Sequence, residues 1–381
     1  MSAVREIMSK FASLTGLSSG KAPRRYLWTD AFAVCNFLGL YHRTCRERYK
    51  ELTLCLVDQV HHVLGRHRED DPRTGWISGL DDQKGEEHPT KGGLRIGKEL
   101  NERKPGETLD RRLEWKRDGQ YYHYLTKWMH ALNRVSQITG DLTYNQWALE
   151  LAKTAHAAFT YVSPSSGGRN MYWKMSIDLT RPLVSSMGQH DPLDGFITYN
   201  QLQARAPDDP EQPDLKAEIA DISSICEGRE WATDDPLGIG GLLCNAYEVA
   251  QLVLNGYWKR PDLLSALSKS SHVGLEAYLR RKPMELSAGR RLPFRELGLS
   301  LGLHAVERLQ ELIAEKPDPF DEKQDLYSRI ESLLQHTSLI QEIEGFWLEP
   351  TNRQTNSWTE HLDINMVMLA TSLAPEGYLA F

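Results

Sequence analysis

The chain has 381 residues, with 45 Lys+Arg against 52 Asp+Glu and a formal net charge of −7. With 40% apolar and 25% charged residues, the composition is globular and excludes a disordered or collagen-like chain. The mild acidity speaks against nucleic-acid binding through overall charge. Cys35, Cys45, Cys55, Cys226 and Cys244 form no CxxC pair, so neither a disulfide framework nor a cysteine-rich zinc site is expected. A reducing, cytoplasmic setting fits that usage. The N-terminal MSAVREIMSKFASLTGLSSGKAPRR lacks the apolar core of a signal peptide. No run reaches the ~18 apolar residues of a membrane span, and no membrane partner is expected.

In chain order, one feature recurs: a polar cluster running into an apolar or small-residue helix. It occurs at Trp28-Thr29-Asp30 and at Asp118-Gly119-Gln120-Tyr121-Tyr122-His123. It returns at Gln189-His190-Asp191-Pro192-Leu193-Asp194 and at Thr233-Asp234-Asp235-Pro236. The last two instances are Arg295-Glu296 and Trp358-Thr359-Glu360-His361-Leu362-Asp363. Amphipathic helices are expected between them, near residues 45–66, 143–162, 213–227, 260–280 and 319–336, and an N-terminal one near 3–14. Helices apolar on more than one face must be buried. Gly238, Gly240, Gly241, Gly298 and Gly302 would let two of them approach closely. The expected fold is therefore all-α, an (α/α)6 barrel in which six inner helices alternate with six outer ones over a single domain, residues 1–381. Mouth insertions are expected at about 67–117 and 163–190, far longer than ordinary helix–helix links. The second holds Met171-Tyr172-Trp173-Lys174-Met175-Ser176-Ile177-Asp178, whose alternation predicts a short β-hairpin.

If all hairpins point one way, the polar clusters converge at one mouth, where helix starts favour anionic or hydroxyl-rich ligands. Asp234 is the first candidate acid or base, since Asp235 before Pro236 already reads as an N-cap. Asp191 and Asp194 also fit capping, whereas Gln189 and His190 are left to bind hydroxyls. Glu360 fits a cap and His361 a general base, with Asp363 beside them. Asp30, Asp118 and His123 read singly as members of a buried hydrogen-bond network; together they imply a polar cavity. Lys174 and Arg181, with Lys91 and Arg95 in the first insertion, fit loop solvation or recognition of a carboxylate or phosphate. Trp28, Trp76, Trp115, Trp173, Trp231 and Trp358 offer flat faces for a sugar ring, and Tyr121 is a further substrate-binding candidate. His61 and His62 read as structural. Glu-His-x-Asp alone is not a zinc motif, there is no P-loop or dinucleotide fingerprint, and no metal or cofactor is expected.

This alternation resembles the six-hairpin glycosidase superfamily of (α/α)6 barrels. The resemblance implies a carbohydrate-active enzyme with a small-molecule or oligosaccharide substrate. Asp234-Asp235 looks like the adjacent pair that some of its hydrolases carry. The leading expectation is a glycoside hydrolase with Asp234 opposite Glu360 or Asp191. The alternatives are an epimerase or isomerase of the N-acylglucosamine 2-epimerase type, using His190, His361 or His123, and a non-catalytic ligand-binding barrel.

Overall fold

The computed structural model describes residues 2–164, 167–206, 213–258, 261–320 and 324–380. The described residues are 63% helical with few strands, and the chain divides into two compact units, residues 12–227 and residues 1–11 with 228–381. The first helix, α1 (Ser2–Leu14), crosses that boundary.

In the 12–227 unit, three helical hairpins follow one another. They are α2 (Leu27–Thr44) with α3 (Glu47–Leu64), then, after two short helices, α4 (Asp82–Glu87) and α5 (Arg111–Glu114), α6 (Tyr122–Thr139) with α7 (Thr143–Phe159), and finally α8 (Asp191–Gln203) with α9 (Lys216–Cys226). Helix α6 packs between α2 and α8. It is buried around most of its circumference, as an inner helix must be. Helix α3 shows only Tyr49, Thr53, Leu56, Val57, Val60, His61 and Leu64 to the core, the i, i+3, i+4, i+7 stripe of an outer helix. His61 is indeed structural: it accepts from Trp128 Nε1 at 3.2 Å, and burial pushes its pKa down to about 3.

The two long connections of this unit are laced together rather than loose. β1 (Gln120–Tyr121), β4 (Lys174–Met175) and β5 (Pro182–Val184) form an antiparallel sheet in the order β1-β4-β5, and β2 (Thr160–Val162) pairs with β3 (Arg169–Met171). The expected hairpin thus falls on two sheets: Met171 ends β3, and Lys174 opens the β4–β5 hairpin. Arg73 bridges Asp71, Glu102 and Asp178 at 2.6–2.9 Å, tying the first connection to the second. Gly119 sits at φ 143°, where a Cβ would meet Met175 O at 2.7 Å, so the crossing admits no side chain.

In the other unit, α10 (Pro236–Leu254) and α11 (Pro261–Leu279) form a hairpin, and α12 (Pro293–Glu315) and α13 (Gln324–Leu334) form the next. After these come α14 (Ser338–Leu348), α15 (Asn356–Thr359), α16 (Leu362–Leu373) and α17 (Glu376–Leu379). Helix α12 packs between α10 and α16, with α14 against it. Three inner helices in each unit, each of the first five followed by an outer partner, is the hairpin order of an (α/α)6 barrel. Helix α14 lies outside the expected alternation. Helix α10, with a mean hydropathy of 1.4, is long and apolar enough to cross a bilayer, and 72% of that stretch is buried. Its contacts with α11 and α12 account for its apolarity.

Within each unit, taken by itself, the inner helices start side by side. Tyr26, just before α2, meets Tyr124 of α6 by their hydroxyls at 2.8 Å, and His123 of α6 lies 3.7 Å from Asp191 of α8. In the other unit Arg295 of α12 reaches Asp235 before α10 at 2.6 Å, and Asn365 of α16 accepts from the Phe294 amide at 3.0 Å.

Candidate functional site

The start of α6 carries four consecutive rings, Tyr121-Tyr122-His123-Tyr124. Tyr122 turns inward and donates to Tyr199 at 2.8 Å. The other three stay together: Tyr121 stacks on His123 at 5.4 Å and 27°, and Tyr124 meets His123 edge-on at 4.7 Å. Trp115, half exposed, lies 6.3 Å from Tyr121 and edge-on to Trp173 at 5.0 Å. His123 in turn lies 3.7 Å from Asp191. The Asp191 side chain is 6% exposed and that of His123 is 29%, so the imidazole is reachable and the carboxyl lies beneath it.

Neither partner is saturated. His123 Nδ1 and Asp191 Oδ2 are buried polar atoms without a hydrogen-bond partner. Burial pushes the His123 pKa down to about 4, with Lys127 and Lys98 helping and Asp194 opposing. Burial pushes Asp191 up to about 8, and Asp194 adds to this by repulsion. Asp194 itself lies 3.7 Å from Lys127 Nζ. At neutral pH the site thus holds a protonated carboxyl beside a neutral imidazole. The backbone fits closely here: a Cβ on Gly188 would meet the Asp191 carboxyl at 2.5 Å. Lys98, whose amine burial pushes down to about 8, stands 5.2 Å over Tyr121.

Several residues read from sequence as facing a ligand are committed to packing. Lys174 is fully buried and donates to Glu114 O, Glu114 Oε1 and Arg117 O at 2.8–2.9 Å, which uses all three of its protons. Its reading as a substrate carboxylate or phosphate ligand is therefore corrected. Asp118 accepts from Arg95, Arg68 and the Gly97 and Gly119 amides at 2.9–3.3 Å, so it and Arg95 fasten the first connection. Arg181 donates to Arg103 O. Asp30 caps the turn into α2 by accepting from the Tyr26 amide at 2.8 Å and pairs with Arg25. Trp28 packs on Phe32, and Trp358 stacks on Trp347, both below 8% exposure. Gln189 is exposed and His190 half-buried just before α8.

In the other unit, Asp234 pairs with Arg281 at the surface and Asp235 with Arg295. Glu296 is buried against Arg291 and accepts from Trp347 Nε1 at 2.8 Å. Glu360 and His361 are exposed, with His361 edge-on to Phe294 at 5.8 Å, and Asp363 is half-buried.

The sequence reading did not single out Lys98, Tyr26, Tyr124 or Lys127 as site residues. Tyr124 and Lys127 stood within a segment already marked, at one residue and one turn beyond His123. Lys98 and Tyr26 lie in connecting segments with no periodic signal.

No family model and no curated protein matches the chain. Among solved structures it is similar to cellobiose 2-epimerase from Spirochaeta thermophila DSM 6192, with 11% identity and a TM-score of 0.47 over 87% of this chain and 84% of that one. It is also similar to cellobiose 2-epimerase from Bacillus thermoamylovorans B4167, with 10% identity and a TM-score of 0.44 over 88% and 86%.

Proposed function

We propose that the chain is a sugar epimerase or isomerase that moves a proton next to the carbonyl of a free sugar, with His123 as base and Asp191 as acid. The observation that carries this reading is their pairing: His123 Nδ1, without a hydrogen-bond partner, lies 3.7 Å from the buried Asp191 carboxyl, and burial pushes the imidazole's pKa down and the carboxyl's up. His123 takes the proton from the carbon beside the carbonyl. Asp191 gives its own to the carbonyl oxygen and an enediol forms; His123 then delivers its proton to the former carbonyl carbon while the Asp191 carboxylate takes the proton of the neighbouring hydroxyl, which leaves both groups as they began. A single base returns the proton to the face it came from, which suits aldose–ketose isomerisation; epimerisation needs a second group opposite. Trp115 and Trp173 supply faces for the ring carbons, while Tyr121, expected to do the same, is 3% exposed and packs behind them.

The hydrolase reading has less support. It needs one protonated and one ionised carboxyl facing each other, yet Asp234 is held by Arg281 and Glu360 is exposed. Asp191 stands against an imidazole instead.

The test is proton NMR of an aldose panel in deuterated buffer. Wild type is expected to exchange deuterium into the carbon next to the carbonyl. His123→Ala and Asp191→Asn are expected to lose about 10²–10⁴ in rate. Turnover of aryl glycosides without any exchange would falsify the reading.

A further inference from the structure

The 228–381 unit holds a cavity of about 390 Å³ where α10 and α12 begin. That lies within the range of roughly 300–1,000 Å³ common for small-molecule sites. Four arginines line it, Arg281, Arg290, Arg291 and Arg295. They are not equally engaged. Arg291 is buried, holds Glu296 through two nitrogens at 2.7–3.0 Å and lies 3.8 Å over the Phe346 ring. It is a structural member of the wall. Arg281 and Arg295 hold Asp234 and Asp235, but all four side chains are 35–67% exposed. Such pairs are weak in water and exchange partners readily.

Two donors are left over. Arg290 is exposed, and its guanidinium bonds to none of the described residues. Arg295 Nε is buried without an acceptor. The rest of the wall includes Tyr278, Pro283 and Leu286, which suits a carbon skeleton. Helix α10 has no side-chain cap at its first turn, so its positive end adds to the field, whereas the Phe294 amide at the start of α12 is taken by Asn365.

We propose that this cavity binds a small organic molecule through an oxyanion, a phosphate or carboxylate gripped by Arg290 and Arg295. Guanidinium forks match both groups in geometry. The site goes beyond the proton-transfer chemistry at His123 and does not rest on it.

The test is calorimetric titration of the full chain with inorganic phosphate and, separately, with acetate, at matched ionic strength. Saturable binding is expected. Arg290→Ala should weaken it about tenfold, the size of a lost charge-assisted hydrogen bond. Arg290→Lys, which keeps the charge but loses the fork, should weaken it less. Stronger phosphate binding assigns a phosphorylated ligand, and stronger acetate binding a carboxylated one. Absence of saturable binding with either probe overturns the proposal. So does unchanged affinity in Arg290→Ala with a wild-type circular dichroism spectrum. The readout is binding, so a failure of the exchange assay leaves it standing.

Discussion

A carboxyl that keeps its proton to about pH 8 also sets how stability depends on pH. Its folded pKa is raised, so the folded chain binds a proton that the unfolded chain has already released. The contribution of Asp191 is therefore full below the unfolded value, near 3.9, and is lost as pH rises through about 8. His123 has the opposite sign. Its folded pKa is lowered to about 4, so its contribution is present above the unfolded value near 6.5 and is lost as pH falls. The two oppose each other at acid pH, and Asp191 dominates between pH 6.5 and 8. Relative to Asp191→Asn, the wild type is expected to lose about 1.5 kcal/mol across that window, measured by urea unfolding at both ends. Parallel curves would mean that the carboxyl is ionised at neutral pH and cannot be the acid. The same pair predicts a rate plateau between about pH 4 and 8. His123 and Asp191 were legible as polar residues at helix starts, because cap chemistry marks where helices begin. Their partnership was not, since the sequence does not say which starts meet. Lys174 was misread for another reason: a lysine in a long connection reads as free to meet a ligand, and the sequence does not show that Glu114 and two backbone carbonyls already claim it, whereas Asp118 sits in the buried network its position suggested.

Helix boundaries were more legible than side-chain directions, because burial acts on every turn of a helix. The outer helices expected near 45–66, 143–162 and 260–280 run Glu47–Leu64, Thr143–Phe159 and Pro261–Leu279. Helix α14 went unread although Leu339, Ile340, Ile343 and Trp347 form an apolar stripe. A strict inner–outer alternation leaves no place for a third helix beside α12 and α16. The glycines show both the reach of the pattern and its limit. A Cβ on Gly240 would meet Gly298 O at 2.0 Å, and one on Gly302 would meet Gly240 Cα at 2.5 Å. Helices α10 and α12 thus touch backbone to backbone, as the sequence suggested. Gly241, the next residue, has nothing within 4 Å, contrary to its expected role in the contact. Gly240→Ala is expected to destabilise by about 1–2 kcal/mol, the overpacking cost less the gain in helix propensity. Gly241→Ala should stabilise by about 0.5–1 kcal/mol. Opposite shifts in the urea midpoint test the pair, and equal shifts would contradict the close approach.

At the scale of the whole chain, the division into units makes an unequal demand on the N-terminus. Residues 1–11 group with 228–381, whereas 12–227 is continuous in sequence. The inner helices of the larger stretch, α2, α6 and α8, are supplied by that stretch alone. The unit containing α10, α12 and α16 takes in a segment from the far end of the chain. That segment is not decorative: Val4, Met8 and Phe11 are each at most 1% exposed. Burying each such side chain contributes about 1.5–3 kcal/mol, so losing three removes a large part of the ~5–15 kcal/mol that holds a typical domain. Deleting residues 2–11 is therefore expected to weaken one unit selectively. Hydrogen exchange should speed up by orders of magnitude in α10, α12 and α16. The amides of α2, α6 and α8 should keep most of their protection, and with it the pH-dependent stability assigned to Asp191. Equal loss of protection across α2, α6 and α8 would show that the N-terminal helix supports the 12–227 unit as much as the other, and that the division is not an energetic one.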